Sequence, residues 1–256
     1  MKLRWSVLIP AFLIVACATA QQTSPTVNQL INNYTEAVGG LDNFSAVQSW
    51  SVRSDIIGDF RTVIDLGSTR IPIVPKKHYT FESYYKAPNL RIALVRTDQN
   101  TAALMYGCDG TVYWVYTPSL GFIDHKPKPG DGECDPGFMP LPVRLQRQNA
   151  KMELKGQKDI DGRRVFKVKV TPMRPLPGIG LTLYFDADNH LLVGVERVAY
   201  QSHSMELYSD YREINSLKIP FQEIVYGEYG ETSNKILEVK VNARISDGIF
   251  VKPKLR

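Results

Sequence analysis

The residues best suited to chemistry are scattered. Histidines stand at His78, His125, His190 and His203, and none has a second histidine or a cysteine at metal-ligating spacing. The patterns His-Glu-x-x-His, Gly-x-Gly-x-x-Gly and the phosphate loop are absent. So is the nucleophile elbow Gly-x-Ser-x-Gly. Asp186 and Asp188 suggest calcium, but an EF-hand loop needs more oxygen ligands and a closing glutamate. Asp186-Ala187-Asp188-Asn189 reads more simply as a hairpin turn whose side chains bond their own backbone. Glu206, Asp210 and Glu213 could pair as general acid and base. On an alternating strand they read instead as its wet face. These residues point away from an enzyme, and they call for no metal or cofactor.

Cysteine is the remaining reactive type, at Cys17, Cys108 and Cys134. Cys17 belongs to the N-terminal segment. Lys2 and Arg4 precede an apolar run over Val7–Ala16, which Pro10 interrupts, and Ala18-Thr19-Ala20 follows as a small-x-small cleavage site. The run is about half of the ~20 residues that span a bilayer. Residues 1–20 therefore read as an export signal, releasing a periplasmic or secreted chain. Ile14-Val15-Ala16-Cys17 also fits a bacterial lipobox. On that reading residues 1–16 are removed and Cys17 is the lipid anchor at the outer membrane. Either way Cys108 and Cys134 are left as an even pair in an oxidising compartment, the expected disulfide. Closing that Gly/Pro-rich loop contributes about 3.5 kcal/mol in the chain-entropy account.

About 236 residues follow residue 20 of the 256, enough for a single β domain over 21–256 with a substantial core. Without Lys2 and Arg4 the net charge of +5 falls to +3, with the basic residues dispersed. This is no nucleic-acid footprint. Val27, Leu30, Ile31, Tyr34, Ala37 and Val38 recur at helical spacing, capped by Ser24 or Thr26 and stopped by Gly39-Gly40. A shorter helix is expected over 42–47.

From Trp50 onward the text becomes β. Asp109-Gly110 and Asp161-Gly162 each sit between runs of apolar and β-branched residues, a strong hairpin signal. Turns at 186–189, at Asn215-Ser216 and near 227–230 continue the rhythm. The expected fold is mainly β (α+β): an open, curved antiparallel meander of about ten or eleven strands with the helix on its concave side. Phe166, Val168 and Val170 share an inner face, as do Leu237, Val239 and Val241. Met205, Leu207 and Tyr211 oppose Glu206, Asp210 and Arg212. Residues 118–142 break the pattern as a Pro/Gly-rich loop. Residues 67–77 are expected to be an irregular edge or a mobile lid.

The meander carries more aromatic residues than a thin sheet needs. Trp50, Phe60, Phe81, Tyr113, Trp114, Phe166 and Tyr211 are candidates to line a cavity between helix and sheet, and Tyr84, Tyr116, Tyr184 and Phe185 belong to the same group. Apolar, aromatic concavities are the usual ligand sites.

Several stretches resemble bacterial outer-membrane lipoprotein-sorting proteins of the LolA/LolB-like superfamily. They are Tyr34–Asp42 with its double glycine, Tyr85–Arg91, and Gly107–Trp114 with its Asp-Gly and Trp. The longest runs from Leu154-Lys155-Gly156 through Tyr184-Phe185-Asp186, Tyr208–Tyr211 and Leu217–Pro220 to Asp247–Pro253. The resemblance implies an open β-barrel wrapped over helices, with a hydrophobic cavity for lipid or lipoprotein acyl chains, no catalytic residue and peripheral membrane contact. The Cys108/Cys134 pair departs from that pattern. The alternative reading is a module of the same fold that binds an envelope protein partner.

Overall fold

The computed structural model describes residues 24–58, 77–125, 139–171, 179–199, 202–228 and 230–253. The export segment with Cys17, the segment 67–76, Phe60 and Cys134 lie outside the described residues.

Helix α1 (Val27–Ala37) starts at a capping box. The Gln29 backbone N–H donates to Thr26 Oγ1 at 3.2 Å, and the Thr26 backbone N–H donates to Gln29 Oε1 at 2.8 Å. Of the two cap candidates, Thr26 is therefore the one used. The helix stops at Gly39 and Gly40, with φ of 118° and 81°. A Cβ on Gly39 would stand 2.1 Å from the Ser216 carbonyl oxygen, so only glycine permits this approach. Beside it the Lys218 N–H donates to the Val38 carbonyl at 2.9 Å. The stop thus fixes α1 to a hairpin of the sheet. A short α2 (Leu41–Ser45) follows.

Thirteen strands form one sheet: β1 (Ser49–Gly58), β2 (Lys77–Lys86), β3 (Leu90–Thr97), β4 (Ala102–Asp109), β5 (Tyr113–Thr117), β6 (Gly121–His125), β7 (Lys151–Ile160), β8 (Arg163–Thr171), β9 (Ile179–Asp186), β10 (Leu192–Ala199), β11 (Ser202–Ile214), β12 (Leu217–Gly227) and β13 (Gly230–Val241). The spatial order is β6-β5-β4-β3-β2-β1-β13-β12-β11-β10-β9-β8-β7, antiparallel throughout and not closed. The chain makes two meanders joined by the β1–β13 pair, not one continuous meander. β6 and β7 are the free edges, and α3 (Leu141–Arg147) lies between them in sequence. The strand count exceeds ten or eleven partly because β6 lies inside residues 118–142, as does the start of α3.

The turns form where the sequence places them. The Asp109 carboxylate accepts from the N–H groups of Thr111 (2.9 Å) and Val112 (2.8 Å). These bonds hold its pKa below the usual carboxylate range, the Val112 bond most of all. Asp186 accepts from the backbone of Asp188 and Asn189 at 2.9 and 3.1 Å. That is the self-bonded turn expected.

The main core fills the concave side of the β7–β12 half. Leu30, Ile31 and Tyr34 of α1, with Phe44 of α2 and Val143 of α3, pack on Phe166, Val168, Leu183, Phe185 and Val195. Tyr34 meets Phe185 edge-on at 5.6 Å between centroids. Two expected face patterns fail. Asp210 takes φ 53°, and Tyr208 and Tyr211 both pack on the main core despite their spacing. Met205 packs instead with Val165, Tyr184 and Val193, the cluster on the outer face. In β13 a register shift leaves Leu237 exposed while Val239 stays buried.

Candidate functional site

Cross-strand register defines the other half of the concave face. Trp50 pairs with Tyr85, Ser54 with Phe81 and Ile56 with Tyr79, and alternate residues of β1 share one face. Trp50 packs against the main core, so this face is the concave one. Along it Ile56, Tyr79, Val95 and Leu104 form a buried cluster, flanked by half-buried Phe81, Tyr106 and Val115. Every member comes from a strand. One half of the concavity is therefore filled by helices, and the other is floored by apolar strand residues.

The expected lining residues divide accordingly. Trp50 stands at the junction, Phe81 lies on the strand-floored half, and Phe166 is buried under the helices. Tyr211 donates its hydroxyl to the Leu192 carbonyl at 2.6 Å and is locked into the main core. Tyr113 pairs with Cys108, which is fully buried. Trp114 does not line the concavity. It points to the convex face, where it packs with Ile92, Met105 and Phe250 under the C-terminal 3-10 turn Asp247–Phe250. The reason is that both faces of β3–β5 are covered, so an aromatic residue there has two dry places to go.

A polar cluster on the concave face was not anticipated from the sequence. One row of partners runs Tyr79, Ile56, Asn234, Glu223, Tyr208. Glu206 faces Val225 on one side and Val195 on the other. It is therefore an inward residue with a 14%-exposed side chain, not part of a wet face. Arg197 donates to Glu206 Oε1 at 2.5 Å and Oε2 at 3.2 Å, and the Tyr208 hydroxyl donates to Oε2 at 2.7 Å. Asn234 Nδ2 donates to Glu223 Oε2 at 3.1 Å. Burial, and then the Glu206 charge, push the Glu223 carboxyl above the usual carboxylate range. The local α-left turn at Asp210 hid this cluster, because simple alternation assigns Glu206 outward.

No protein-family model matches the sequence, and no curated protein does. Solved structures do match. A LolA superfamily protein from Nitrosomonas europaea is similar at TM-score 0.55 and 13% identity, covering 90% of this chain and 99% of that one. A DUF1329 family protein from Desulfovibrio piger is similar at 0.55 and 13%, covering 89% and 98%. The fold is the LolA-like open barrel. An outer membrane lipoprotein-sorting protein domain from Vibrio parahaemolyticus is also similar, at TM-score 0.53 and 10% identity over 88% of this chain and 97% of that one.

In this LolA-like barrel His78 and His203 face away from the concavity. His78 Nδ1 lies 2.8 Å from Asp98 and Nε2 lies 3.4 Å from Asp55. His203 Nε2 is 2.9 Å from Glu196, which also accepts from the buried Tyr184 hydroxyl at 2.6 Å. Among the described residues no three His, Cys, Asp or Glu side chains converge on a metal position.

The inward Glu223 predicts a pH dependence. The folded state holds its proton more tightly than the unfolded chain does. Its contribution to stability is therefore present below the unfolded carboxyl pKa and is lost as pH rises through the raised folded value. Glu223→Gln is expected to flatten that descending limb and to be more stable than the parent at neutral pH. Denaturant midpoints from pH 4 to 8 check this, and parallel curves for the two proteins would refute it.

Proposed function

We propose that this chain is an exported, non-enzymatic cell-envelope protein that binds a lipid or lipoprotein acyl chain. The chain would lie on the strand-floored half of the concave face. The observation that carries the reading is the apolar lining of that half, where half-buried Phe81, Tyr106 and Val115 flank buried Ile56, Tyr79, Val95 and Leu104 and no residue of a described helix joins the cluster. An alkyl chain laid there gains ~0.8 kcal/mol per buried CH₂ and needs no polar recognition for useful affinity. The basic start, apolar run and Ala18-Thr19-Ala20 support export. The likeness to a lipoprotein-sorting domain supports the choice of acyl chain over other apolar ligands.

Cys17 sets the freedom of the carrier. Cleaved after Ala20, the chain shuttles cargo through the periplasm. Acylated at Cys17, it is a fixed acceptor on a short polar tether. Exposed Ile57 and Tyr226 near the strand ends at Gly58 and Gly227 would let that rim meet a membrane or a partner. The test is mass spectrometry of the protein purified from its own host envelope, read both intact and after organic extraction. Co-purifying acyl lipid is the expected result, and the intact mass reports the N-terminus and the state of Cys108 and Cys134. Protein that repeatedly carries no lipid and takes none up in vitro would overturn the proposal.

A further inference from the structure

Resting on the acyl-groove reading, we infer that the groove has a polar end, built from Ser54, Asn234, Glu223 and Glu206, that receives the hydrogen-bond-donating head of an uncharged or cationic amphiphile. The apolar floor and the cluster share a face and are contiguous. Ile56 pairs with Tyr79 on one side and with Asn234 on the other, and Asn234 pairs with Glu223. Ser54, two residues before Ile56 on the same face, pairs with Phe81 and Ile236. A chain lying against half-buried Phe81, with buried Ile56 and Tyr79 behind it, therefore ends beside these polar groups.

Two independent features show unmet hydrogen-bonding capacity there. Ser54 is 0% exposed and its Oγ has no partner among the described residues. Asn234 Oδ1 is buried and has none among them either, although the same side chain donates to Glu223. Buried polar atoms without partners are uncommon in folded proteins and ask for an explanation. An incoming O–H or N–H supplies the donor that Asn234 Oδ1 lacks, and the Ser54 hydroxyl can donate to a hydroxyl head or accept from either head.

Charge selects the kind of head. The cluster holds two carboxylates and one guanidinium, and Arg197 is already committed to Glu206. Tyr208 is committed to Glu206 as well. An anionic head would meet Glu206 and Glu223 with no uncommitted cation in the cluster among the described side chains. An ammonium head would favour an ionised Glu223 and be neutralised by it. A hydroxyl head is tolerated with Glu223 protonated. Among the described side chains of the strand-floored half the other inward cation is Arg91, which lies over Tyr106 and pairs with Tyr85, at the far end of β2 from Tyr79.

The test is calorimetric titration of the delipidated, processed protein with dodecanol, dodecylamine and laurate, three probes sharing one chain. The alcohol and the amine are expected to bind about tenfold or more tighter than laurate, as like-charge juxtaposition requires. Glu223→Gln is expected to remove most of the amine's advantage over laurate while leaving dodecanol within about threefold of the parent. Ser54→Ala and Asn234→Leu are expected to weaken dodecanol binding selectively. If all three probes bind equally, or laurate binds tightest, the polar end is overturned and the acyl groove survives. An unchanged selectivity in Glu223→Gln overturns it in the same way. If none of the probes binds, the groove reading falls and the polar end falls with it.

Discussion

Leu183→Asp is expected to abolish cooperative folding. Leu183 lies at the centre of β9, between Val168 of β8 and Val195 of β10, and all three are 0% exposed. The helices cover this row from above, through Ile31 and Tyr34. Truncation to alanine alone removes about 2–5 kcal/mol. An ionised carboxylate in the same place adds an uncompensated desolvation cost of several kcal/mol. Against a typical domain stability of about 5–15 kcal/mol, that sum leaves little or no folded state. Urea titration followed by circular dichroism reads both variants. The Leu183→Ala midpoint should fall with an unchanged slope, and Leu183→Asp should show no cooperative transition. A Leu183→Asp protein that unfolds like the parent would mean that this row faces water and that the helices do not sit on it.

Trp114→Ala is expected to cost stability on a similar scale and to leave ligand binding alone. Trp114 is 0% exposed on the convex face and meets Phe122 edge-on at 5.5 Å. Its ring lies so close to β4 that a Cβ on Gly107 would come within 2.5 Å of its Cζ2 atom. Phe250 closes the site from the C-terminal turn. Emptying a pocket this tight costs about 3–5 kcal/mol, since the backbone around it cannot collapse fully. The concave floor is on the other side of the sheet, so the folded fraction should bind a dodecyl ligand within about twofold of the parent. Selective loss of binding, at full stability, would place Trp114 in the site after all.

These two variants mark where the sequence was transparent and where it was not. The turns were legible because their chemistry is local. Asp109-Gly110 and Asp186–Asn189 bond their own backbone, so each signal and its cause lie within four residues. Helix α1 was legible for the same reason, with the cap at Thr26 and the stop at Gly39 both written in the chain. The β1–β13 pair was not, because it joins residues nearly two hundred positions apart and no local rule specifies it. β6 was hidden by the Gly- and Pro-rich text around it.

The concave face was legible in kind and blurred in detail. Aromatic excess pointed to an apolar concavity, and Trp50 and Phe81 lie on the expected face. Trp114 was misplaced because alternation gives a period and not a direction when both faces are dry. Glu206 was misplaced because Asp210, at φ 53°, resets the alternation downstream. Reading Glu206 from Tyr211 gives the wrong side, and reading it from the paired Val195 gives the right one.

The central claim is that the apolar floor of β1–β5 holds an alkyl chain by burial. The dependence of affinity on chain length tests it most directly. Titrating the delipidated protein with decanol, dodecanol and tetradecanol isolates the methylene contribution at constant head group. At ~0.8 kcal/mol per CH₂, affinity should rise about fourfold per methylene and roughly two orders of magnitude across the series. Affinity that stays flat with chain length, or binding that is absent throughout, would contradict the account.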